Sequence, residues 1–213
     1  MLFNIFRRKP AHSTLFYHTD VHCHLLPGVD HGSPDVPTSL LLLGLEQKMG
    51  IDRIIATSHV TQNTFENTPE TLRPAHSTLC QAVAQAGMDM RIDLAAEYRI
   101  DDFSLSQFKA GQFLTYPGNF LLLENAFQQE ILGMDELIFN LQLKHLSPII
   151  AHPERYEYVT MADYRHLKSQ GIAFQLNIPS LMGAYGRHVQ KKAEKLLKQG
   201  YYDLYGSDTH REG

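Results

Sequence analysis

The sequence has no tryptophan, only two cysteines, and no apolar run near the ~18 residues that a membrane-crossing helix needs. Each absence removes a class of protein. Cys23 and Cys80 are too few for a disulfide framework, so the fold must rest on a hydrophobic core. A basic excess is missing too. Lysine and arginine total 19 against 23 acidic residues, and the net charge of −4 gives no general pull toward nucleic acid. Arg7, Arg8 and Lys9 are the small exception, read as a solvated terminus. The opening MLFNIFRRKP places apolar residues before charges, the reverse of a secretory signal. The expected compartment is the cytosol, with no membrane span and no nucleic-acid partner.

What is present is a β-α repeat. Strand-like runs fall at Tyr17–His22, Arg53–Thr57, Ile92–Tyr98, Phe120–Glu124, Pro148–Ala151, Ala173–Asn177 and Tyr202–Tyr205. Helical patterns separate them at Asp35–Met49, Pro69–Ala86, Gln129–His145, Met161–Gln170 and His188–Gln199, with a weaker one at Asp101–Ala110. Gly50, Gly87, Gly171 and Gly200 stand where helices stop, and Pro69 begins one. Alternating strands and helices predict a parallel sheet with right-handed crossovers, in one domain. This periodicity fits an open sheet and a closed barrel equally well.

Twelve histidines in 213 residues is high, and their positions carry the chemistry. In Asp20-Val21-His22-Cys23-His24 the two histidines are two apart on a strand, so they project to one face, as two ligands of one metal must. Alone, such a pair is more often ordinary. The other strand ends change that reading. The second strand runs into His59, the third ends at Glu97, the fourth at Glu124 and the fifth at His152, with Arg155 just beyond. The last ends in Gly206-Ser207-Asp208-Thr209-His210, where Asp208 and His210 are again two apart. The turn after the first strand adds Asp30 and His31, either of which suits a ligand. Parallel α/β folds bind ligands at the carboxyl ends of strands. Glu124 follows three leucines, where burying a carboxylate without a partner is costly. A cation explains it economically. Mixed imidazole and carboxylate donors suit manganese, iron or zinc, and so many candidates imply two or three ions.

These residues resemble the polymerase-and-histidinol-phosphatase (PHP) family over nearly the whole chain. DVHCHLLPGVDHGSPD, IIATSHV, the Glu97 strand, LLLEN, IIAHPERY and GSDTH are similar to its bacterial tyrosine-protein phosphatases of capsule and exopolysaccharide operons. The resemblance implies a distorted seven-stranded (β/α)7 PHP-type barrel over residues 1–213, with residues 1–16 as an N-terminal extension. It implies one metal on His22, His24, Glu97 and Asp208, and a second on Glu97, Glu124 and His152. A third would take His59, His210 and a turn residue, Asp30 or His31. Manganese is the first expectation, before iron or zinc. Arg155 would hold the substrate phosphate, and His152 joins it as a residue of the reaction. The partner implied is a phosphotyrosine protein, a bacterial tyrosine kinase. Two departures stand out. The family reads Asp-Asp-Gly where this chain has Asp30-His31-Gly32, and its relatives continue past the position of Gly213.

Thiol catalysis fails on spacing, because Val29 and Ala86 stand six positions after Cys23 and Cys80, where an arginine is needed. Cys23 is expected to face the barrel wall. His12, His18, His76, His145, His166 and His188 read as surface residues. Tyr156 and Tyr158 are candidates for the mouth of the site, and the loop from Asn63 to Pro69 for its rim. Two other readings stay open beside the tyrosine phosphatase. One is a small-molecule phosphomonoesterase of the histidinol-phosphatase kind, and the other is a non-catalytic metal-binding domain.

Overall fold

The structure is a computed structural model that describes residues 17–128 and 133–210. The basic run at residues 7–9, His12, the 1–16 extension and the start of the helix expected from Gln129 lie outside the described residues. Nine strands occur among the described residues: β1 (Thr19–Cys23), β2 (Arg53–Ala56), β3 (His59–Val60), β4 (Arg91–Leu94), β5 (Glu97–Arg99), β6 (Phe120–Glu124), β7 (Ser147–Ala151), β8 (Ala173–Asn177) and β9 (Leu204–Gly206). All pair in parallel, in a three-stranded sheet β1-β2-β4 and a six-stranded sheet β3-β5-β6-β7-β8-β9. One of the single strands expected from sequence is therefore broken, and another is followed by a separate short strand. Arg53–Thr57 stops at Ala56 and pairing resumes at His59, while Ile92–Tyr98 is interrupted after Leu94 and resumes at Glu97. At both breaks the chain passes from one sheet to the other.

Helices fill the crossovers: α1 (Val36–Met49), α2 (Pro69–Gln85), α3 (Asp102–Ala110), α4 (Met134–Leu143), α5 (Met161–Ser169), the short α6 (Ile178–Leu181) and α7 (Gly186–Lys198). Their ends have local causes. Asp35 caps α1 by accepting from Thr38 N, and Gly50 ends it in the left-handed conformation. Thr160 and Asp163 form a reciprocal capping box on α5. Sequence periodicity missed α6 and the 3₁₀ turn Pro153–Arg155, which are too short to show a period. No helix among the described residues is long and apolar enough to cross a membrane.

Strand side chains alternate between two cores. Ile54, Leu121, Leu123, Ile150 and Phe174 join the large cluster under the helices. Ile55, Leu122, Ile149 and Ala151 point the other way, into a smaller cluster with Ala95 and Tyr116. Full burial of each leucine or isoleucine contributes about 1.5–3 kcal/mol. The sheet curls as a half-barrel with both faces apolar, and the polar residues are left at the carboxyl ends of the strands.

Candidate metal centre

Strand register sets the site. In the β3–β5 ladder His59 lies opposite Glu97, and in β5–β6 Arg99 lies opposite Glu124. The turns after β7 and β9 supply His152 and Asp208, both in the left-handed region at φ 31° and 55°. For residues other than glycine such backbone costs about 1–3 kcal/mol and persists where the surroundings enforce it. Gly206 brings the last strand against the first, since a Cβ there would lie 2.5 Å from His22 Cβ. Gly32 does the same for the turn, where a Cβ would collide with the His24 carbonyl.

Eight of the nine expected ligands converge. His22 Nε2 and His24 Nε2 face each other at 3.2 Å. Asp208 Oδ1 lies 3.4 Å and 3.3 Å from them. Glu97 Oε1 accepts from His152 Nε2 at 3.0 Å. Its Oε2 is ringed by His22 Nε2 and His24 Nε2 at 3.4 Å each and His59 Nδ1 at 3.0 Å, yet it accepts no hydrogen bond. Glu124 Oε1 lies 3.7 Å from His152 Nε2. His24, His59 and His210 form a further group with nitrogens within 4.8 Å of one another. Asp30 belongs to none of these groups. Its Oδ2 accepts from His24 Nδ1 and from His59 N, both at 3.0 Å, and its Oδ1 accepts from Gly32 N at 2.9 Å.

The outward nitrogens explain why the inward ones converge. His22 Nδ1 bonds to Gln175 Oε1 at 2.8 Å, His24 Nδ1 to Asp30, and His210 Nδ1 to the Asp208 carbonyl at 2.8 Å. Each acceptor fixes the N–H on Nδ1 and leaves the Nε2 lone pair for the cluster. This is how second partners orient metal-binding histidines. The donor set therefore fits a group of divalent cations. Buried polar atoms without partners, among them Glu97 Oε2 and His210 Nε2, are otherwise costly.

Charge follows the same geometry. Burial opposes a charge on His22, but Glu97 and Asp208 outweigh it and push the imidazole up to about 9. Burial also opposes a charge on His24, and its bonds to Asp208, Asp30 and Glu97 raise it as well. Burial likewise disfavours the charged carboxylates, yet the facing imidazoles hold Glu97 and Asp208 well below the usual range. His210 goes the other way, pushed down to about 4 by burial and by the nearby His24. Burial raises the Cys23 thiol, and Cys23 packs in the wall with no exposure.

A cavity of about 400 Å³ opens over the cluster, lined in part by His31, Phe65, Phe127, Arg155, Tyr185 and His210. Arg155 donates to Asp208 Oδ2 at 2.9 Å and is sandwiched between Phe127 at 4.6 Å and Tyr185 at 4.4 Å. It pairs with neither Glu154 nor Glu157. Thr64 and Phe65, within the loop from Asn63 to Pro69 read as a candidate rim, line the cavity, as does Thr61 before that loop. Tyr156 does not line the mouth. It is buried, donating to the Ala151 carbonyl at 2.7 Å. Sequence reasoning also missed Arg99, which donates to Glu124 Oε2 at 3.0 Å. Its signal was its place two residues after Glu97, on the same strand face.

A profile of the capsular polysaccharide synthesis CpsB/CapC family matches residues 18–213. This chain belongs to that family. Among its relatives, tyrosine-protein phosphatase YwqE of Bacillus subtilis (strain 168) is 28% identical over 194 residues, covering 90% of this chain and 76% of the relative. Tyrosine-protein phosphatase CpsB of Streptococcus pneumoniae is 24% identical over 200 residues, covering 90% and 82%. Crystal structures of YwqE and CpsB are described as those of unique metal-dependent tyrosine phosphatases. One of these chains superposes at a TM-score of 0.85 with 28% identity, over 91% of this chain and 79% of that one.

Proposed function

We propose that this chain is a metal-dependent tyrosine-protein phosphatase, acting on a bacterial tyrosine kinase that controls capsule or exopolysaccharide synthesis. One observation carries the reading. Glu97 Oε2 is buried among three imidazole nitrogens within 3.4 Å without a hydrogen bond, below a cavity that presents Arg155. The names of its relatives support the phosphotyrosine substrate.

We assign His22, His24, Glu97 and Asp208 to one cation and Glu97, Glu124 and His152 to a second. A third falls to His59, His210 and the turn. Manganese is the first candidate, before iron and zinc. When bound, such ions polarise phosphoryl oxygens and make water a nucleophile near neutral pH. The chain's own residues do the rest. Arg155 keeps one N–H on Asp208 and its plane between two aromatic rings, so its remaining donors point as a rigid fork suited to phosphate. His152 holds Glu97 through Nε2 and lines the cavity beside Arg155. The tyrosine phenolate leaves with a pKa of about 10, so it needs less acid assistance than an alkoxide.

We also read the two sheets as one distorted seven-stranded barrel, with β2–β3 and β4–β5 each a single interrupted strand in one domain. The bridge between Cys23 and Thr209, joining the first strand to the turn after the last, supports this. The cytoplasm is the proposed compartment.

Phosphotyrosyl peptide, p-nitrophenyl phosphate and histidinol phosphate, each supplied with manganese, test the function. Preferred release from the peptide is expected. No turnover on any of them with metals bound contradicts the proposal, and a preference for histidinol phosphate moves the substrate to small molecules.

A further inference from the structure

Helix α7 leads away from the cavity and carries an uneven charge. Tyr185, just before the helix, lines the cavity and covers Arg155. The helix then packs on the 3₁₀ turn that bears Arg155. Lys192 Nζ pins it there by donating to the carbonyls of Tyr156 and Val159. The outer face of α7 is therefore held in a fixed place relative to the site.

That face is basic. The sequence of α7 holds five lysines and arginines against one glutamate, in a chain whose net charge is −4. Lys192 is used in pinning the helix. Arg187, Lys191, Lys195 and Lys198 are exposed, and their spacings of four, four and three put them in one row. Among the described residues, the lysines and arginines in ion pairs are Arg53, Arg91, Arg99, Arg155 and Lys168, none of them on α7. Glu194 shares the row and Glu157 lies near Lys192, so positive charge remains in excess. Like charges four apart weaken a helix, so the fold gains nothing from this row. The surface beside it is concave. A groove of about 440 Å³ is lined by Gly183, Arg187, Gln190, Lys191 and Glu194. Another, of about 310 Å³, is lined in part by His188, Lys191, Lys192 and Lys195, beside the start of α5. Lys191 belongs to both.

We propose that this face of α7 docks an acidic segment of the substrate protein while its phosphotyrosine occupies the cavity beside Tyr185. The inference rests on the phosphatase reading above and adds a recognition surface for its substrate. The helix rises about 20 Å over its length. An extended peptide covers that in about six residues, so acidic side chains that close to the phosphotyrosine meet the row. Two grooves leading from a cavity suit a chain better than a flat anionic membrane. Exposed charge pairs are individually weak and screened by salt, so the contact acts on KM and fades as ionic strength rises.

The test compares phosphotyrosyl peptides that carry a run of glutamates on the amino side, a run on the carboxyl side, or glutamines in both places. p-Nitrophenyl phosphate is the reference, and all assays use manganese-loaded protein. One of the acidic peptides should have a KM about 10-fold below the neutral one at low salt, and the gap should close at high salt. The triple variant Arg187→Glu, Lys191→Glu, Lys195→Glu should abolish the gap, and Lys191→Glu alone should narrow it. Glu194→Gln should widen it. Turnover of p-nitrophenyl phosphate should be unchanged in all of them, which also shows that they are folded. Equal KM for acidic and neutral peptides overturns the inference, as does a loss that falls equally on p-nitrophenyl phosphate. Capture of the wild type, but not the triple variant, by phosphatidylserine vesicles with no peptide preference moves the face to membranes and overturns it too. Fluorescence anisotropy of labelled peptides reads the same preference without turnover. Tighter binding of an acidic peptide by a protein that hydrolyses nothing overturns the phosphatase reading and leaves the docking face standing.

Discussion

The floor and the rim of the site lie within one cavity but are held in different ways. On the floor, His22, His24 and Glu97 have no exposure, and Asp208 almost none. Each is gripped from behind, by Gln175, by Asp30, by His152, and by Arg155 with Asn177. Gly206 lets the backbone close against His22. The rim, with His31, Phe65, Phe127 and Tyr185, lies in connections and is held by ring stacking and by the contacts of Arg155. Stacked rings repack cheaply, whereas buried bonded groups do not. The difference teaches where change is tolerated. In the proposed reaction the floor holds the ions and must be kept, while the rim faces the substrate and tolerates change.

The largest effect should come from the floor. Glu97→Gln removes the charge shared by three imidazoles, so two metal equivalents and at least about 10³-fold in activity should go together. Elemental analysis beside phosphate release checks this, and retention of full metal content would erase the distinction. Arg155→Ala comes next. It should cut kcat/KM by about 10²–10³-fold while leaving metal content unchanged, because the guanidinium bonds to Asp208 alone in the cluster and alanine keeps the backbone bond from Arg155 N to the His152 carbonyl. Loss of metal in that variant would make Arg155 part of the floor. On the rim, Phe127→Leu should cost no more than about 10-fold, seen mainly in KM, since it removes one face of the guanidinium sandwich.

The smallest effect lies behind the floor. Glu46 of α1 is buried near Asp20, and burial first, then Asp20, pushes it from 4.5 up to about 7. A raised carboxyl binds its proton more tightly when folded, so stability falls as pH rises from about 4.5 to about 7 and stays lower above that. Glu46→Gln should therefore raise the melting midpoint by a few degrees at pH 8, about 1–2 kcal/mol, and change it little at pH 4.5. Equal shifts at both pH values would contradict the sign.

Sequence periodicity reached the floor because strands have a period of two. His22 with His24, and Asp208 with His210, announce a shared face without any tertiary knowledge. Glu97, Glu124 and His152 were legible as polar ends of apolar runs. Asp30 and His31 were not separable, because the orientation of Asp30 depends on hydrogen bonds from His24 and from His59 on another strand. Phe127 and Tyr185 sit in connections with no period, so only the fold brings them to Arg155. The breaks at Thr57–Ser58 and Ala95–Ala96 escaped for a related reason. They come from strands changing sheet, and local propensity carries no signal of that.

The most direct test of the whole account is anomalous diffraction from crystals grown with manganese. It should reveal two or three peaks within bonding distance of His22, His24, Glu97, Glu124, His152 and Asp208. A map with no peak there, or with a lone ion bound elsewhere on the surface, would contradict it.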